Sequence, residues 1–352
     1  MIETSQQLED FLGKCSKIEG EKVCAIDTEA DSLHRYKESL CLVQFTAGGE
    51  CVLIDPLAIE DLSPLDEYLK DSVVWMHGAD YDMTMLKREF GRLPKIVFDT
   101  QIGARLLGVK KFGLGNLVEH YFDVVLSKSS QKADWGKRPL SEKMIDYALN
   151  DVRYLLEMGN KIIAQLKEKG RYEWFLESCE SAQVKVAERD DSANEPWRIS
   201  GSGKLDPLGL AYLRGIWNWR DQEAEEWDKP SFMVAPNRLL IEWCLLLAEG
   251  KEIRLPRHFR SGRLRRFKEI EESVRASPQS DWPKRPVTKR RKRGTEFDQR
   301  VDQLLAHRNK VAEELEIDGS LIASRAVIEA IASNDSEPSE LLMNWQQSLL
   351  GV

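Results

Sequence analysis

The chain has 352 residues, 42% of them hydrophobic and 31% charged, a composition that excludes a disordered, collagen-like or low-complexity protein. At roughly 150 residues per domain, two or three domains are expected. The net charge of −8 hides a segregation, because Lys251 to Arg293 holds 16 Lys and Arg against 5 Asp and Glu. An acidic body joined to a basic segment can track a polyanion, and a solvated linker has the same look. No apolar run approaches the roughly 18 residues of a membrane span. The start MIETSQQLEDFLGKC has no basic stretch followed by an apolar core. Six cysteines lack C-x-x-C spacing, so reduced thiols without disulfides and a cytoplasmic location are expected.

The first 170 residues alternate strands and helices. Val23–Ile26, Leu40–Phe45, Val52–Ile54 and Val73–Met76 read as buried strands. Gly48-Gly49 between the second and third predicts a hairpin, hence a mixed sheet. Asp82 to Phe90 has helical spacing, as does Ser141 to Met158 with its apolar face Met144, Ile145, Ala148, Val152, Leu155 and Leu156. The expected organisation is an α/β domain over 1–188, a polar linker over 189–204, a helical domain over 205–280, a basic linker over 281–294, and a divergent helical domain over 295–352. The two helical parts match at an offset of 88. Arg220-Asp-Gln-Glu-Ala-Glu-Glu-Trp-Asp aligns with Arg308-Asn-Lys-Val-Ala-Glu-Glu-Leu-Glu, and Val234-Ala235 with Ile322-Ala323.

Asp27 and Glu29 follow the first strand, and their i, i+2 spacing points both carboxylates to one face. Like charges held that close call for a divalent cation, although two acids after a strand are commonly a solvated turn. Asp80 and Asp82 open a helix, where acids also serve as caps. Tyr147 and Asp151 share one helix face at i, i+4. Carboxylates such as these, without a His or Cys cluster, make an all-oxygen donor set suited to Mg²⁺ or Mn²⁺.

In that order, the motifs Ala25-Ile-Asp-Thr-Glu-Ala-Asp, His77-Gly-Ala-Asp-Tyr-Asp-Met and Tyr147-Ala-Leu-Asn-Asp-Val-Arg-Tyr-Leu resemble ribonuclease D, a 3′→5′ exonuclease family of the Asp-Glu-Asp-Asp tyrosine subclass. Phe98-Asp-Thr-Gln and Lys128-Ser-Ser-Gln-Lys-Ala-Asp-Trp-Gly-Lys-Arg-Pro-Leu-Ser add to the likeness, and the helical parts resemble helicase-and-RNase-D C-terminal (HRDC) domains. The resemblance implies an RNase H-like mixed sheet flanked by helices, followed by two small all-α HRDC-like domains. It implies that Asp27 bridges two divalent ions, that Glu29 and Asp151 complete the first site, and that Asp82 serves the second. Asp82 is preferred over Asp80 because it directly precedes the apolar helix face of Met83 and Leu86. Tyr147 would position the attacking water; its ordinary pKa near 10 makes it a poor base.

The implied activity is removal of 5′-mononucleotides from RNA 3′ ends, with tRNA precursors bearing single-stranded tails as the substrate class. A DNA exonuclease using the same site and a non-catalytic RNA-binding scaffold are the rivals. Gln44 and His77 are candidates to reach the terminal nucleotide, against the competing role of a buried structural hydrogen bond. Arg257, Arg260, Arg263, Arg265, Arg266 and Lys268 are candidates for phosphate contacts. Lys289 to Arg293 reads as a phosphate-binding tether. Trp217, on the apolar face of its helix, reads as core and not as a base-stacking platform.

Overall fold

The computed structural model describes residues 1–127, 129–190, 195–257, 259–285, 294–334 and 336–352; the basic run Lys289–Arg293 lies outside them. The chain divides into two compact units. One comprises Met1–Ala30, Leu40–Arg189 and Lys292–Val352, and the other Asp31–Ser39 and Asp190–Arg291.

In the first unit, α1 (Ser5–Cys15) leads into strands β1 (Val23–Ala30), β2 (Leu40–Ala47) and β3 (Glu50–Ile54). Then come α2 (Ser63–Leu69), β4 (Val73–Met76), α3 (Asp80–Phe90) and β5 (Ile96–Asp99). The sheet order is β3-β2-β1-β4-β5. β1, β2 and β3 pair antiparallel, whereas β1, β4 and β5 pair parallel. The β2–β3 turn is made by Gly48 and Gly49 at φ 60° and 81°, a conformation that the missing Cβ permits. β5 was not among the strands read from the sequence.

Helices α4 (Thr100–Leu106), α5 (Leu114–Phe122), α6 (Glu142–Arg153), α7 (Leu155–Glu168) and α8 (Tyr172–Glu188) complete the α/β part. One sheet face carries Ile26, Val43, Phe45, Val74 and Met76 against Leu8, Leu65, Met83 and Leu86. The other carries Leu42 and Leu53 near α6, and Ala25 and Trp75 near α7. A Cβ at Gly159 of α7 would stand 2.8 Å from the Trp75 ring, so glycine is what lets α7 lie close to β4. The single helix expected from Ser141 to Met158 is divided at Tyr154 (φ −99°, ψ −9°). α6 packs on β2 and β3 while α7 follows β4 and α4, and one straight rod does not follow both surfaces.

The loop before α6 is pinned to the sheet edge by Arg138. Its guanidinium meets Asp55 at 2.5 and 2.6 Å and donates to the carbonyls of Cys41 and Trp135. The same unit includes α13 (Thr295–Glu314), α14 (Gly319–Ile322), α15 (Arg325–Ala332), α16 (Pro338–Leu341) and α17 (Asn344–Leu350), numbered after the four helices of the second unit. These pack on the α/β body. Trp345 stacks on Trp174 at 5.1 Å, and Glu177 accepts from the amides of Asn344 and Trp345. Buried Arg171 donates to the carbonyls of both Leu106 and Leu315.

The second unit holds α9 (Pro207–Trp227), α10 (Ser231–Val234), α11 (Asn237–Ala248) and α12 (Ser261–Ala276). The offset of 88 carries the starts of α9, α10 and α11 onto those of α13, α14 and α15. It also carries a hydrogen bond: Arg220 donates to the carbonyl of Ala235, and Arg308 to that of Ala323. The loop Asp31–Ser39 belongs to this unit, with Tyr36 donating to Asp221 at 2.9 Å and Arg35 to Asp228 at 3.1 Å. Trp219 is buried among Phe259 and Phe267, Trp217 is half-buried in the same core, and Trp227 is exposed. Among the described residues, no helix is long and apolar enough to cross a membrane, and all six cysteines are free thiols.

Arg138→Ala would leave the Asp55 carboxylate, 2% exposed, without its cation. It is expected to destabilise the protein by about 3 kcal/mol, read as a lowered midpoint of urea unfolding.

Candidate active site

β1 pairs with β4 only through Ala25, while its pairing with β2 continues to Ala30. Asp27 and Glu29 thus lie inside a strand, beyond its last rung to β4, rather than in a turn after it. That opening on the β4 side leaves the Thr28 amide for α3. Thr28 donates from its N–H (2.9 Å) and its hydroxyl (2.5 Å) to Oδ1 of Asp82. Asp82 is buried, whereas Asp80 is exposed and paired with Arg189 at 2.7 Å. The start of α3 is itself held by Asp99 at the end of β5, which accepts from the amides of Gly78, Ala79 and Gln101. From the other side, α6 brings Asp151 over β1. Asp27, Glu29 and Asp151 each present a carboxylate oxygen, and these oxygens all lie within 4.8 Å of one another. The Tyr147 hydroxyl donates to Asp151, and the Tyr147 ring lies 6.1 Å from that of buried Trp135.

Such crowding favours protons. Burial, and after it the charges of Asp82, Asp151 and Glu29, push Asp27 well above the usual carboxylate range. Burial and the neighbouring Asp151 and Asp82 raise Glu29 to about 8. Asp151 is raised to about 7 by burial, against the lowering hydrogen bond from Tyr147. Asp82 rises to about 6, burial outweighing its bonds from Thr28. Burial and the carboxylates beside it also raise Tyr147. Three converging carboxylates form a hard, all-oxygen donor set, which fits a divalent cation that would replace those protons.

The other expected residues fall elsewhere. Gln44 is fully buried on β2 directly opposite Asp27. His77, half-buried, sits 2.9 Å by Nδ1 from the Thr100 hydroxyl, which also lies 3.1 Å from the Met76 carbonyl. Arg263 and Arg266 are committed to Glu223, a buried carboxylate that both contact, at 2.9 and 2.5 Å. Arg265 pairs with Glu269 at 3.5 Å, while Arg257, Arg260 and Lys268 are exposed. Sequence reasoning missed Thr28, Asp99 and Trp135. For Thr28 a signal existed, since strand alternation turns it away from the face of Asp27 and Glu29, toward the side on which α3 begins.

A 3′-5′ exonuclease family model matches residues 1–167. Ribonuclease D of Zymomonas mobilis is 30% identical over 355 residues, covering 96% of this chain and 89% of that one. The chain belongs to the ribonuclease D family. Another member, ribonuclease D of Sphingobium indicum, is 33% identical over 253 residues; the match covers 69% of this chain but 63% of that relative, less than two thirds of its length. The crystal structure of Escherichia coli RNase D superposes with a TM-score of 0.76 at 25% identity, covering 100% of this chain and 98% of that one.

The raised carboxylates set a sign for pH dependence. Their folded pKa values exceed the unfolded ones near 4, so the stability they contribute in the metal-free protein is fully present below about pH 4. It is lost as pH rises through about 6 to 8. Thermal scans with and without Mn²⁺ should therefore show a larger rise in Tm at pH 8 than at pH 5.

Proposed function

We propose that this ribonuclease D family member is a two-metal 3′→5′ exoribonuclease that releases 5′-mononucleotides one at a time. Its substrates are structured RNAs with short single-stranded 3′ tails, tRNA precursors among them, and its setting is the cytoplasm. The observation that carries the reading is the convergence of Asp27, Glu29 and Asp151 within 4.8 Å beside Tyr147. Escherichia coli RNase D is described as an exoribonuclease involved in structured RNA processing, and the same class of substrate is assigned here.

Asp27, Glu29 and Asp151 would hold one Mg²⁺ or Mn²⁺, and Asp27 with Asp82 would hold a second. Bound there, such ions supply the Lewis acidity that lowers the pKa of water and stabilises charge on the attacking and leaving oxygens. The chain's own residues do the placing. Thr28 fixes Asp82 by two hydrogen bonds to one oxygen, and so ties α3 to β1. Tyr147 has its pKa raised further from neutrality, so it stays a phenol and orients water by hydrogen bonding instead of removing a proton. An unpaired terminal nucleotide is the form that such a site can hold. Arg257, Arg260, Arg265 and Lys268 are proposed to contact phosphates at the helical domain, with a strength that falls as salt rises.

A time course on 5′-labelled RNA with a single-stranded 3′ tail tests this reading. In Mg²⁺ or Mn²⁺ a ladder shortening from the 3′ end is expected, and EDTA should abolish it. Asp27→Ala or Asp151→Ala should lower the rate by about 10³-fold or more, with RNA binding retained, and Tyr147→Phe by roughly 10²-fold. Uncut RNA with a salt-sensitive gel shift would instead mark a binding scaffold, and faster cutting of the matching DNA a DNA exonuclease. The acid opening α3 is checked separately: Asp82→Asn should be severely impaired, while Asp80→Asn, which alters only an exposed ion pair, should stay within about threefold of wild type.

A further inference from the structure

We infer that Gln44 is a positioning residue for Asp27, its side-chain amide holding that carboxylate in place when cations load the site; the inference rests on the two-metal reading above. Gln44 lies in the middle of β2, paired in register with Asp27 on one side and Leu53 on the other. Directly opposed residues of an antiparallel pair project to the same face, so Gln44 and Asp27 lie side by side between the sheet and α6. Along β2 its neighbours on that face are Leu42 and Thr46, and the strand is buried along its whole length. An apolar side chain is the expected occupant of such a position.

Both polar atoms of the Gln44 amide are buried, and neither has a hydrogen-bond partner among the described residues. A structural hydrogen bond, the competing role weighed from the sequence, is therefore not made there. Zero exposure also keeps Gln44 from touching a nucleotide directly. A buried amide left unpaired opposes folding, and a group of this kind is explained when a functional state supplies its partner. Directly across from it stands the Asp27 carboxylate, which can accept from an amide N–H. Directly opposed Cβ atoms stand about 4.5–5.5 Å apart, a gap that a glutamine bridges directly or through one ordered water. With the amide donating to one oxygen of Asp27, the carboxylate's orientation is set and its remaining lone pairs are left for the cations. This is how groups behind a ligand tune a metal site.

Mn²⁺ titration of the full chain without RNA, followed by calorimetry, tests the inference on wild type, Gln44→Met, Gln44→Leu and Asp27→Asn. Thermal scans of the metal-free proteins accompany it. Gln44→Met and Gln44→Leu should raise the metal-free Tm by about 2–4 °C, because an unpaired buried amide is removed. They should also weaken Mn²⁺ binding by about 10–100-fold, and Asp27→Asn should abolish it. Mn²⁺ affinity within twofold of wild type in either folded Gln44 variant would overturn the inference and leave the two-metal reading standing. A metal-free Tm that falls in both variants would assign Gln44 to packing and overturn it too. Failure of the wild type to bind Mn²⁺ would overturn the two-metal reading, and the inference with it.

Discussion

Four carboxylates in close company repel one another, and the architecture around them is built to hold them together. Two come from neighbouring positions on one strand, one from the first turn of α3 and one from the last turn of α6. No element that supplies them could keep them near each other alone. The sheet does it by mixing its pairings. β1 runs antiparallel to β2 as far as Ala30 but leaves β4 after Ala25, which opens one edge to α3 exactly where Thr28 can bind Asp82. Free energy that burial and repulsion withhold from the ionised forms is available to a cation that displaces the protons.

Support for the site extends outward through paired groups. Asp99 ties the start of α3 to the end of β5. Arg138 ties the loop before α6 to Asp55 and to carbonyls of the sheet edge and the loop, and Trp135 in that loop lies against the ring of Tyr147. Tyr147, proposed to orient water, thus rests on a segment fixed by a partly buried ion pair. The inferred role of Gln44 belongs to the same scheme, reaching Asp27 from the neighbouring strand.

The helical domains show one plan put to two uses. Arg220 and Arg308 make the same bond to a carbonyl 15 residues onward, so the small three-helix frame is shared. In the second copy α15 has eight residues where α11 has twelve, and the copy packs on the exonuclease body through Trp345 and Leu315. In the first copy the basic face is partly spent on structure, because Glu223 engages Arg263 and Arg266. Charge counting in the sequence could not tell these two arginines from Arg257 and Arg260, since the deciding partner lies 40 residues away.

Local spacing determined much of this protein. Alternation put Asp27 and Glu29 on one face, the i, i+4 rule put Tyr147 beside Asp151, the double glycine made the hairpin, and the offset of 88 exposed the duplicated helices. These are short-range regularities of the backbone, and a sequence carries them whole. What only the tertiary structure decided are relations between distant segments. It decided that Asp82 and not Asp80 faces β1, that the helix breaks at Tyr154, that β5 carries the aspartate holding α3, and that Gln44 is buried opposite Asp27 without a hydrogen-bond partner among the described residues. Each depends on which surfaces meet across the sheet, a matter of packing between residues tens of positions apart, and no periodicity in the chain encodes it.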